Sequence, residues 1–255
     1  MTKYFYCWSG GKDSSATIAL AHEIGAPKGT VLMSEVMFDK DISGELPEHM
    51  EWVHNTAVPL FEEWGFEVKI LRSKYTYLDC FHKVNQGMRT PERAGMKYGF
   101  PMSGKCIING MCKMKPLRDY FKTIEGDYIQ YVGIALDEQK RLARILKDRT
   151  KVSLLANCNY TEKDAYDLCE KYNLISPYYQ YSKRGGCWFC PNARDCQLRH
   201  VRNNHPQLWK RLLELEDEEN LVGDIWDTRN RISIHQKELQ FREEDGGMIY
   251  GNIKF

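Results

Sequence analysis

Six residues near the start of the chain, Ser-Gly-Gly-Lys-Asp-Ser at 9–14, have the composition of a site for a negatively charged ligand. The two glycines have no side chains to keep a ligand away from the backbone. The lysine adds a positive charge, and the serines at both ends offer hydroxyl groups. The stretch therefore predicts a loop that binds phosphate groups through Ser9, Gly10, Gly11, Lys12, Asp13 and Ser14.

The elements on either side of this loop support that prediction. Residues 3–8 alternate and are rich in aromatic side chains, which predicts a strand, and residues 13–24 have helical spacing. The loop would thus lie at the carboxyl end of a strand and at the amino end of a helix, where backbone amides and the helix dipole attract anions. It is not a Walker A loop, because position 6 is a tyrosine where that motif needs glycine. The alternative is a Gly-Gly turn with a serine cap.

The rest of the pattern alternates between strands and helices and predicts an α/β fold, a parallel sheet with helices on both faces. We expect this nucleotide-binding domain to span residues 1–180, and residues 181–255 to form a mainly helical, cysteine-containing region packed on it. Residues 85–113 are predicted to be irregular and functional. The further strands are expected at 29–38, 66–71, 127–134 and 151–155, and the further helices at 46–65, 115–124, 137–146, 161–173 and 206–216. The helix at 46–65 is expected to be disturbed at Pro59.

A second candidate for chemistry follows the predicted strand at 127–134. Gly133 ends that strand, so it would border the same crevice as the loop. Asp137 and Glu138 have carboxylates that could bind a metal ion or accept protons, and Arg141 could hold a phosphate or sulfate with two hydrogen bonds. The alternative is that these charges form the exposed first turn of a helix.

The nine cysteines are an odd number, and the chain has no pattern of a disulfide framework. Cys187 and Cys190 have the CxxC spacing that directs two sulfurs at one ion, and Cys106 and Cys112 form a second pair. The two pairs are predicted to close one metal site, either zinc or a 4Fe-4S cluster, with Cys196 as a spare. The alternative is that these cysteines are independently buried.

The overall charge of +1 predicts no global attraction to nucleic acid, but residues 181–211 are locally basic. For this stretch a solvated helix face ranks first, recognition of a small anion second and nucleic acid third. No apolar run approaches the roughly 20 residues needed to cross a bilayer, and the first residues lack the apolar core of a signal peptide. We therefore expect a cytoplasmic protein without a membrane partner.

The motif SGGKDS at 9–14 resembles the signature of the PP-loop ATP pyrophosphatases, the adenine nucleotide alpha hydrolase superfamily. Within it, the chain is similar to the phosphoadenosine phosphosulfate reductase-like branch. That similarity lies in LPEHMEWV at 46–53, CKMKPLRDYF at 112–121, YVGIALDEQKRLARI at 131–145 and KRGGCWFCPNA at 183–193.

This resemblance implies an enzyme that holds the pyrophosphate of ATP or an adenylyl nucleotide, with Mg²⁺, and transfers the adenylyl group to an acceptor that the sequence does not identify. Lys12, Asp13, Asp137 and Arg141 are then the expected catalytic residues, and the loop with Gly133 and Glu138 the expected nucleotide site. Three alternatives remain: reduction of a sulfonucleotide, sulfur transfer with a labile cluster, and a metal-stapled nucleic-acid-binding module. The first would need its nucleophilic thiol from outside the last residues, because the last cysteine is Cys196.

Overall fold

A five-stranded parallel sheet forms the centre of the computed structural model, which describes residues 2–100, 102–103 and 105–246. The strands are β1 (Lys3–Trp8), β2 (Thr30–Glu35), β3 (Glu67–Arg72), β4 (Lys97–Gly99), β5 (Met102–Ser103), β6 (Lys105–Cys106), β7 (Tyr128–Val132), β8 (Lys151–Val152) and β9 (Leu221–Gly223). The main sheet has the order β3-β2-β1-β7-β8, and all its neighbouring strands are parallel. This arrangement confirms the predicted α/β fold with a parallel sheet flanked by helices.

The helices connect and cover these strands. They are α1 (Lys12–Glu23), α2 (Pro47–Trp52), α3 (Val58–Glu63), α4 (Tyr77–Phe81), α5 (Lys115–Lys122), α6 (Gln139–Ile145), α7 (Leu154–Asn157), α8 (Glu162–Lys171), α9 (Asp195–Asn204), α10 (Pro206–Glu216) and α11 (Ile234–Glu244). Wider π-helical turns at Val53–Ala57 and Asn109–Met114 precede α3 and α5, and 3-10 turns lie at Pro91–Arg93 and Pro177–Gln180.

The strand order reverses at β1, because β2 and β3 lie on one side of it while β7 and β8 lie on the other. Phe5 on β1 is level with Thr30 on one side and with Gln130 on the other. Open α/β sheets bind ligands in the crevice at such a reversal, beyond the carboxyl ends of the strands. The loop at 9–14 and Gly133 both follow strands that border this crevice.

Two predicted elements differ from the observed ones. The helix predicted at 46–65 follows one helical path, but it widens to a π-helical turn at Val53–Ala57 directly before Pro59, which lacks an amide donor and crowds the preceding turn. The strand predicted at 151–155 ends at Val152, because the hydroxyl of Ser153 accepts the amide of Ala156 and starts α7.

The predicted irregular excursion at 85–113 contains more structure than expected. Its strand β4 pairs with β9, from the segment after residue 180 that was predicted to lack strands. The approach is close, because a Cβ on Gly99 would lie 2.2 Å from the carbonyl oxygen of Gly223. A strand of three residues is too short to show the alternation of apolar and polar residues that identifies strands. The pairing of β4 with β9 was therefore not predictable from the sequence.

The buried side chains form two clusters. One lies between the main sheet, α1 and α8. In the other, Trp188, Phe189 and Trp209 pack with Phe38 and Phe81, so residues after 180 share a core with the segment that follows β2. Within the described residues, every helix is too short or too polar to cross a bilayer.

Candidate functional site

The loop at 9–14 joins the end of β1 to the start of α1 and is closed by its own serines. The hydroxyl of Ser14 accepts the amide of Ser9 at 3.1 Å and lies 2.9 Å from the carbonyl oxygen of Gly11, to which it donates. Gly10 has a φ of 71°, in the left-handed region that favours glycine. The backbone bend thus depends on the glycine and serine residues of the motif.

The first turn of α1 is open to a ligand. Its N-cap is Gly11, which has no side-chain oxygen to accept the amides of that turn. The amide of Lys12 donates to the hydroxyl of Tyr179 at 2.9 Å, while Asp13 and Ser14 line a cavity in front of the helix. Backbone donors at a helix start favour a bound anion.

Gly133 holds the second strand of the crevice against this helix start. A Cβ at position 133 would lie 2.4 Å from the amide nitrogen of Ser14 and 2.6 Å from the carbonyl carbon of Asp13. Only a residue without a side chain allows this approach of β7 to the loop. The structure therefore brings together the two sequence motifs that were predicted to share a crevice.

A cavity of about 230 Å³ lies in front of the loop. Six of the predicted site residues line it, namely Ser9, Gly11, Asp13, Ser14, Gly133 and Arg141. Arg141 is joined there by Lys113 and Arg184, so three basic side chains line the cavity together with the loop. Such a cavity suits a ligand with several negative charges.

The side chain of Lys12, which was predicted to bind phosphate, points away from the loop cavity and toward two carboxylates. Its ammonium group lies 2.6 Å from Asp13 Oδ1 and 3.6 Å from Glu162 Oε2, and its side chain lines a neighbouring cavity. Burial alone would lower the pKa of Lys12, but the hydrogen bond and charge of Asp13 outweigh it and raise that pKa. The role of Lys12 at a phosphate stays a prediction, and it would require the side chain to leave Asp13.

Three carboxylates meet beside the loop, from Asp13, Glu138 and Glu162, with one oxygen of each within 4.8 Å of the others. Burial raises the pKa of Asp13, and the charges of Glu138 and Glu162 raise it further while Lys12 opposes them. One or two of these carboxylates would suit Mg²⁺, which is usually bound through that number and completes its shell with water and phosphate. Mg²⁺ stays a prediction, and these residues fit it.

In the segment that follows Gly133, one predicted residue lines the cavity and another stabilises a helix start. Arg141 lines the cavity, and its guanidinium lies 2.5 Å from Glu138, which also accepts the amide of Ala135. Asp137 accepts the amide of Glu162 at 3.0 Å, at the start of α8, and is absent from the described lining of the cavity. A helix-capping role thus competes with the predicted catalytic role of Asp137.

His49 belongs to the site, although its role was not predicted. The ring lines the cavity, and a Cβ on Gly10 would lie only 2.5 Å from its Nε2. Its Nδ1 is 2.7 Å from Ser176 Oγ. Burial lowers the pKa of His49 to about 4, so the ring is neutral at physiological pH. The signal was its place in the LPEHMEWV stretch at 46–53.

Lys113 and Glu45 also line the cavity, and neither was predicted as a site residue. Burial raises the pKa of Glu45, and the charge of Glu45 raises the pKa of Lys113. Lys113 lies in the π-helical turn Asn109–Met114, within the CKMKPLRDYF stretch at 112–121. Arg184 likewise lies in the KRGGCWFCPNA stretch at 183–193, so position in a motif was the available signal for each.

Three of the four predicted metal-binding cysteines line one cavity. Cys106, Cys187 and Cys190 surround a space of about 170 Å³. Lys113 and Gly186 line both this space and the cavity of the loop, so the two are adjacent. The cysteine-lined cavity is therefore next to the proposed ligand site.

Cys112 is buried and has a different nearest sulfur, since its Sγ lies 4.0 Å from that of Cys80. Among the described residues, no three cysteine sulfurs lie within 4.8 Å of one another. A metal ion bound by all four predicted cysteines would need side-chain rotations that close these distances. The zinc or 4Fe-4S site stays a prediction, and Cys80 was not foreseen as its neighbour.

The basic side chains after residue 180 are largely paired within the chain. Arg199 contacts Glu244 and Asp245, and Arg202 contacts Glu238 and Asp245. Arg184 instead lines the loop cavity. These contacts favour the solvated face for most of the stretch and an anion-binding role for Arg184.

Comparisons with known proteins gave similarities in sequence and in structure. No protein family model matches the chain. An uncharacterized protein of Methanocaldococcus jannaschii is 22% identical over 236 residues, which cover 86% of this chain and 50% of that protein, so the chain spans about half the length of its curated relative. The crystal structure of phosphoadenylyl-sulfate (PAPS) reductase from Candida auris, in a phosphate complex, is similar with a TM-score of 0.46 and 9% identity, over 74% of this chain and 82% of that chain.

Proposed function

We propose that this chain is an enzyme that binds ATP or a related adenylyl nucleotide and catalyses adenylyl transfer with release of pyrophosphate. The observation that carries the proposal is the loop at 9–14, at the reversal of strand order, lining a cavity with Lys113, Arg141 and Arg184. Backbone donors and three cations complement a polyphosphate better than any neutral ligand.

A groove for the nucleoside continues from the phosphate cavity. It has a volume of about 700 Å³ and shares Ser9, Ser14, Lys113, Gly133 and Arg141 with the phosphate cavity. Its lining is mainly apolar, which suits the faces of a purine base.

Ser34 gives this groove a polar contact for a ligand. Its hydroxyl is buried and has no hydrogen-bond partner in the described part of the chain. Buried polar groups without partners are costly, so a ligand that supplies a donor or an acceptor here gains affinity.

The expected reaction at this site is an exchange at the α-phosphorus. An oxygen of the acceptor forms a bond to that phosphorus while the bond to the bridging oxygen of the β-phosphate breaks, and pyrophosphate carries away the electron pair. The loop amides with Arg141 and Arg184 would stabilise the charge that grows on the pyrophosphate. Mg²⁺ held near Asp13 and Glu138 would add to that stabilisation.

The experiment measures binding and turnover of ATP by the whole chain. Titration calorimetry with a non-hydrolysable ATP analogue should give saturable binding, and Arg141→Ala should weaken it by about tenfold or more, the effect of one charge-assisted phosphate contact. Lys210→Ala is the matched control, because that lysine is exposed on α10, where it pairs with Glu214. Equal affinity of Arg141→Ala and Lys210→Ala for the ATP analogue, or no binding of the analogue by the wild-type chain, would refute the proposal.

Sulfonucleotide reduction is the second candidate, favoured by the cysteine-lined cavity beside the loop cavity. A thiolate would attack the sulfur of an adenylyl sulfate, the bond from that sulfur to the phosphate oxygen would break, and a second thiol would release sulfite as a disulfide forms. Sulfite production from phosphoadenosine phosphosulfate with a dithiol donor, absent in Cys187→Ser, would place this reaction above adenylyl transfer.

A further inference from the structure

Two histidines and a glutamate meet outside the loop cavity. Glu48 Oε1 lies 2.7 Å from His200 Nε2, and Glu48 Oε2 lies 2.9 Å from His205 Nε2. The three ligand atoms are all within 4.8 Å of one another. The residues come from three places in the fold, α2, α9 and the junction of α9 with α10, so the chain assembles them only on folding.

The side chains are partly open to solvent, with 24% of Glu48, 21% of His200 and 16% of His205 exposed. An ion can therefore reach them without unfolding the protein. The Nε2 atoms of both histidines are directed at the carboxylate of Glu48. Two imidazole nitrogens and one carboxylate oxygen are the protein ligands of many zinc sites that keep a fourth position for water.

The distances need only a small change to accept a metal ion. With metal–ligand bonds of about 2.0–2.1 Å, tetrahedral ligand atoms lie roughly 3.3 Å apart. The observed separations of 2.7 and 2.9 Å, which run to different oxygens of Glu48, would each widen by about half an ångström. The ligand atoms of the two histidines, within 4.8 Å of one another, would have to reach a similar separation.

Two further contacts orient the ligands. The hydroxyl of Tyr181 donates to Glu48 at 2.8 Å, and its ring stacks on His200 with 3.7 Å between ring centroids. The side-chain amide nitrogen of Asn204 lies 3.3 Å from His200 Nδ1 and donates to the backbone carbonyl oxygen of His200 at 3.1 Å. Metal-binding histidines usually donate the other ring N–H to such a partner, and a turn of the Asn204 amide would present its oxygen for that purpose.

We propose that Glu48, His200 and His205 form a binding site for a divalent transition-metal ion, zinc being the ion that this ligand set fits best. The site is independent of the proposed nucleotide reaction and of the cysteine-lined cavity. It joins α9 and α10 to α2, one residue before His49, whose ring lies against Gly10. The metal ion would fasten the helices after residue 180 to the helix that supports the phosphate-binding loop.

Zinc binding to the whole chain provides the test, with Zn²⁺ alone as the probe. The wild-type chain should bind one zinc ion more than His205→Gln, in which the amide still donates to Glu48 but is a poor zinc ligand. Zn²⁺ should raise the melting temperature of the wild type more than that of the variant. Asn204→Asp should tighten the site by about tenfold, because a carboxylate accepts the Nδ1 proton of His200 better than an amide does.

The cysteines could also bind the added zinc, and absorption spectra with Co²⁺ in place of zinc distinguish the two sites. Cobalt bound to nitrogen and oxygen absorbs in the visible range, whereas thiolate ligation adds strong charge-transfer bands in the near ultraviolet. Crystals soaked in zinc should also give an anomalous peak between Glu48, His200 and His205, a measurement that needs no variant. Equal zinc content in wild type and His205→Gln, or an anomalous signal confined to the cysteines, would overturn the proposal.

Discussion

Gly10 lies directly against the imidazole ring of His49. A Cβ at position 10 would be 2.4 Å from His49 Cε1 and 2.5 Å from Nε2, both closer than real Cβ contacts allow. The loop at 9–14 and α2 are therefore in close contact at this position. Because the ring leaves no room for a side chain, the loop keeps its bend only with glycine at position 10.

Gly10→Ala is expected to destabilise the protein by about 2–5 kcal/mol and to abolish nucleotide binding. The left-handed φ of 71° strains any side chain, and the new methyl group also collides with His49. Urea unfolding measures the first effect, and calorimetry with an ATP analogue measures the second.

Gly25→Ala separates the two causes. Gly25 has a φ of 64°, but a Cβ at this position would have nothing within 4 Å, so only the backbone strain of about 1 kcal/mol should appear. Adding His49→Ala to Gly10→Ala should recover part of the lost stability. If Gly10→Ala costs no more than Gly25→Ala, the contact with His49 is not tight.

The stability of the fold should depend on pH through His49. Its pKa is about 4 in the folded protein and near 6.5 in the unfolded chain. The unfolded chain therefore binds the proton first as the pH falls, so the stabilisation is complete above pH 6.5 and is lost between pH 6.5 and 4. At about 1.4 kcal/mol for each pH unit, the loss should reach about 3 kcal/mol.

His49→Asn is the control for this dependence, because asparagine keeps a polar group near Ser176 but does not titrate. Unfolding free energies from urea titrations at several pH values, for wild type and variant, should converge toward pH 4. The charges that act on His49 are Lys113, which lowers its pKa, and Glu48, which raises it. Parallel pH profiles for the two proteins would show that His49 does not titrate differently on folding.

Gly133→Ala tests the approach of β7 to the loop. A Cβ there would lie 2.4 Å from the amide nitrogen of Ser14, a backbone atom that cannot move aside alone. We expect nucleotide affinity to fall by about 100-fold or more, since roughly 3 kcal/mol of overpacking falls on the loop itself. Gly110→Ala has open space around its Cβ and should leave affinity unchanged. Wild-type affinity in Gly133→Ala would contradict the close approach.

The main sheet was predictable because its elements have strong periodicity. The strand at 3–8 and the helix at 206–216 were predicted with the bounds that the structure gives them. The pairing of β4 with β9 was not, because short strands joined across more than 100 residues leave no local pattern. The π-helical turn at Val53–Ala57 was also missed, since only the crowding at Pro59 hinted at it.

The candidate site was predictable where one short segment carries it and less so where the fold brings residues together. Ser9 and Ser14 follow directly from the motif, whereas Glu45 and Lys113 are ordinary charged residues until folding buries them beside the loop. Lys12 was assigned to a phosphate from its place in the same motif, but its partner Glu162 lies 150 residues away. The spacing of residues along the sequence does not reveal contacts between positions so far apart.

Asp13→Asn should weaken the response to Mg²⁺. It removes one of the three carboxylates that meet beside the loop and leaves Glu138 and Glu162 in place. The Mg²⁺ concentration that gives half-maximal ATP turnover should rise by about 10–100-fold, as for loss of a metal-orienting group. Asp119→Asn is the control, because that residue pairs with Lys115 on α5. An unchanged Mg²⁺ dependence in Asp13→Asn would remove Asp13 from the metal site.

Metal content should depend on the cysteine-lined cavity. Cys187→Ser removes a sulfur ligand beside Lys113, and anaerobically purified protein should lose the metal bound in this cavity while zinc at Glu48, His200 and His205 stays. Cys158→Ser is the matched control, because Cys158 packs at the edge of the other core cluster. Elemental analysis would identify the metal as zinc or iron, and a brown colour would indicate an iron–sulfur cluster.

Cys112→Ser tests whether the fourth predicted cysteine binds the metal. If this variant keeps the metal, Cys112 pairs with Cys80 at 4.0 Å rather than binding the ion, and the fourth ligand has to come from elsewhere. Identical metal content in Cys187→Ser and Cys158→Ser would show that the cavity holds only independent buried thiols.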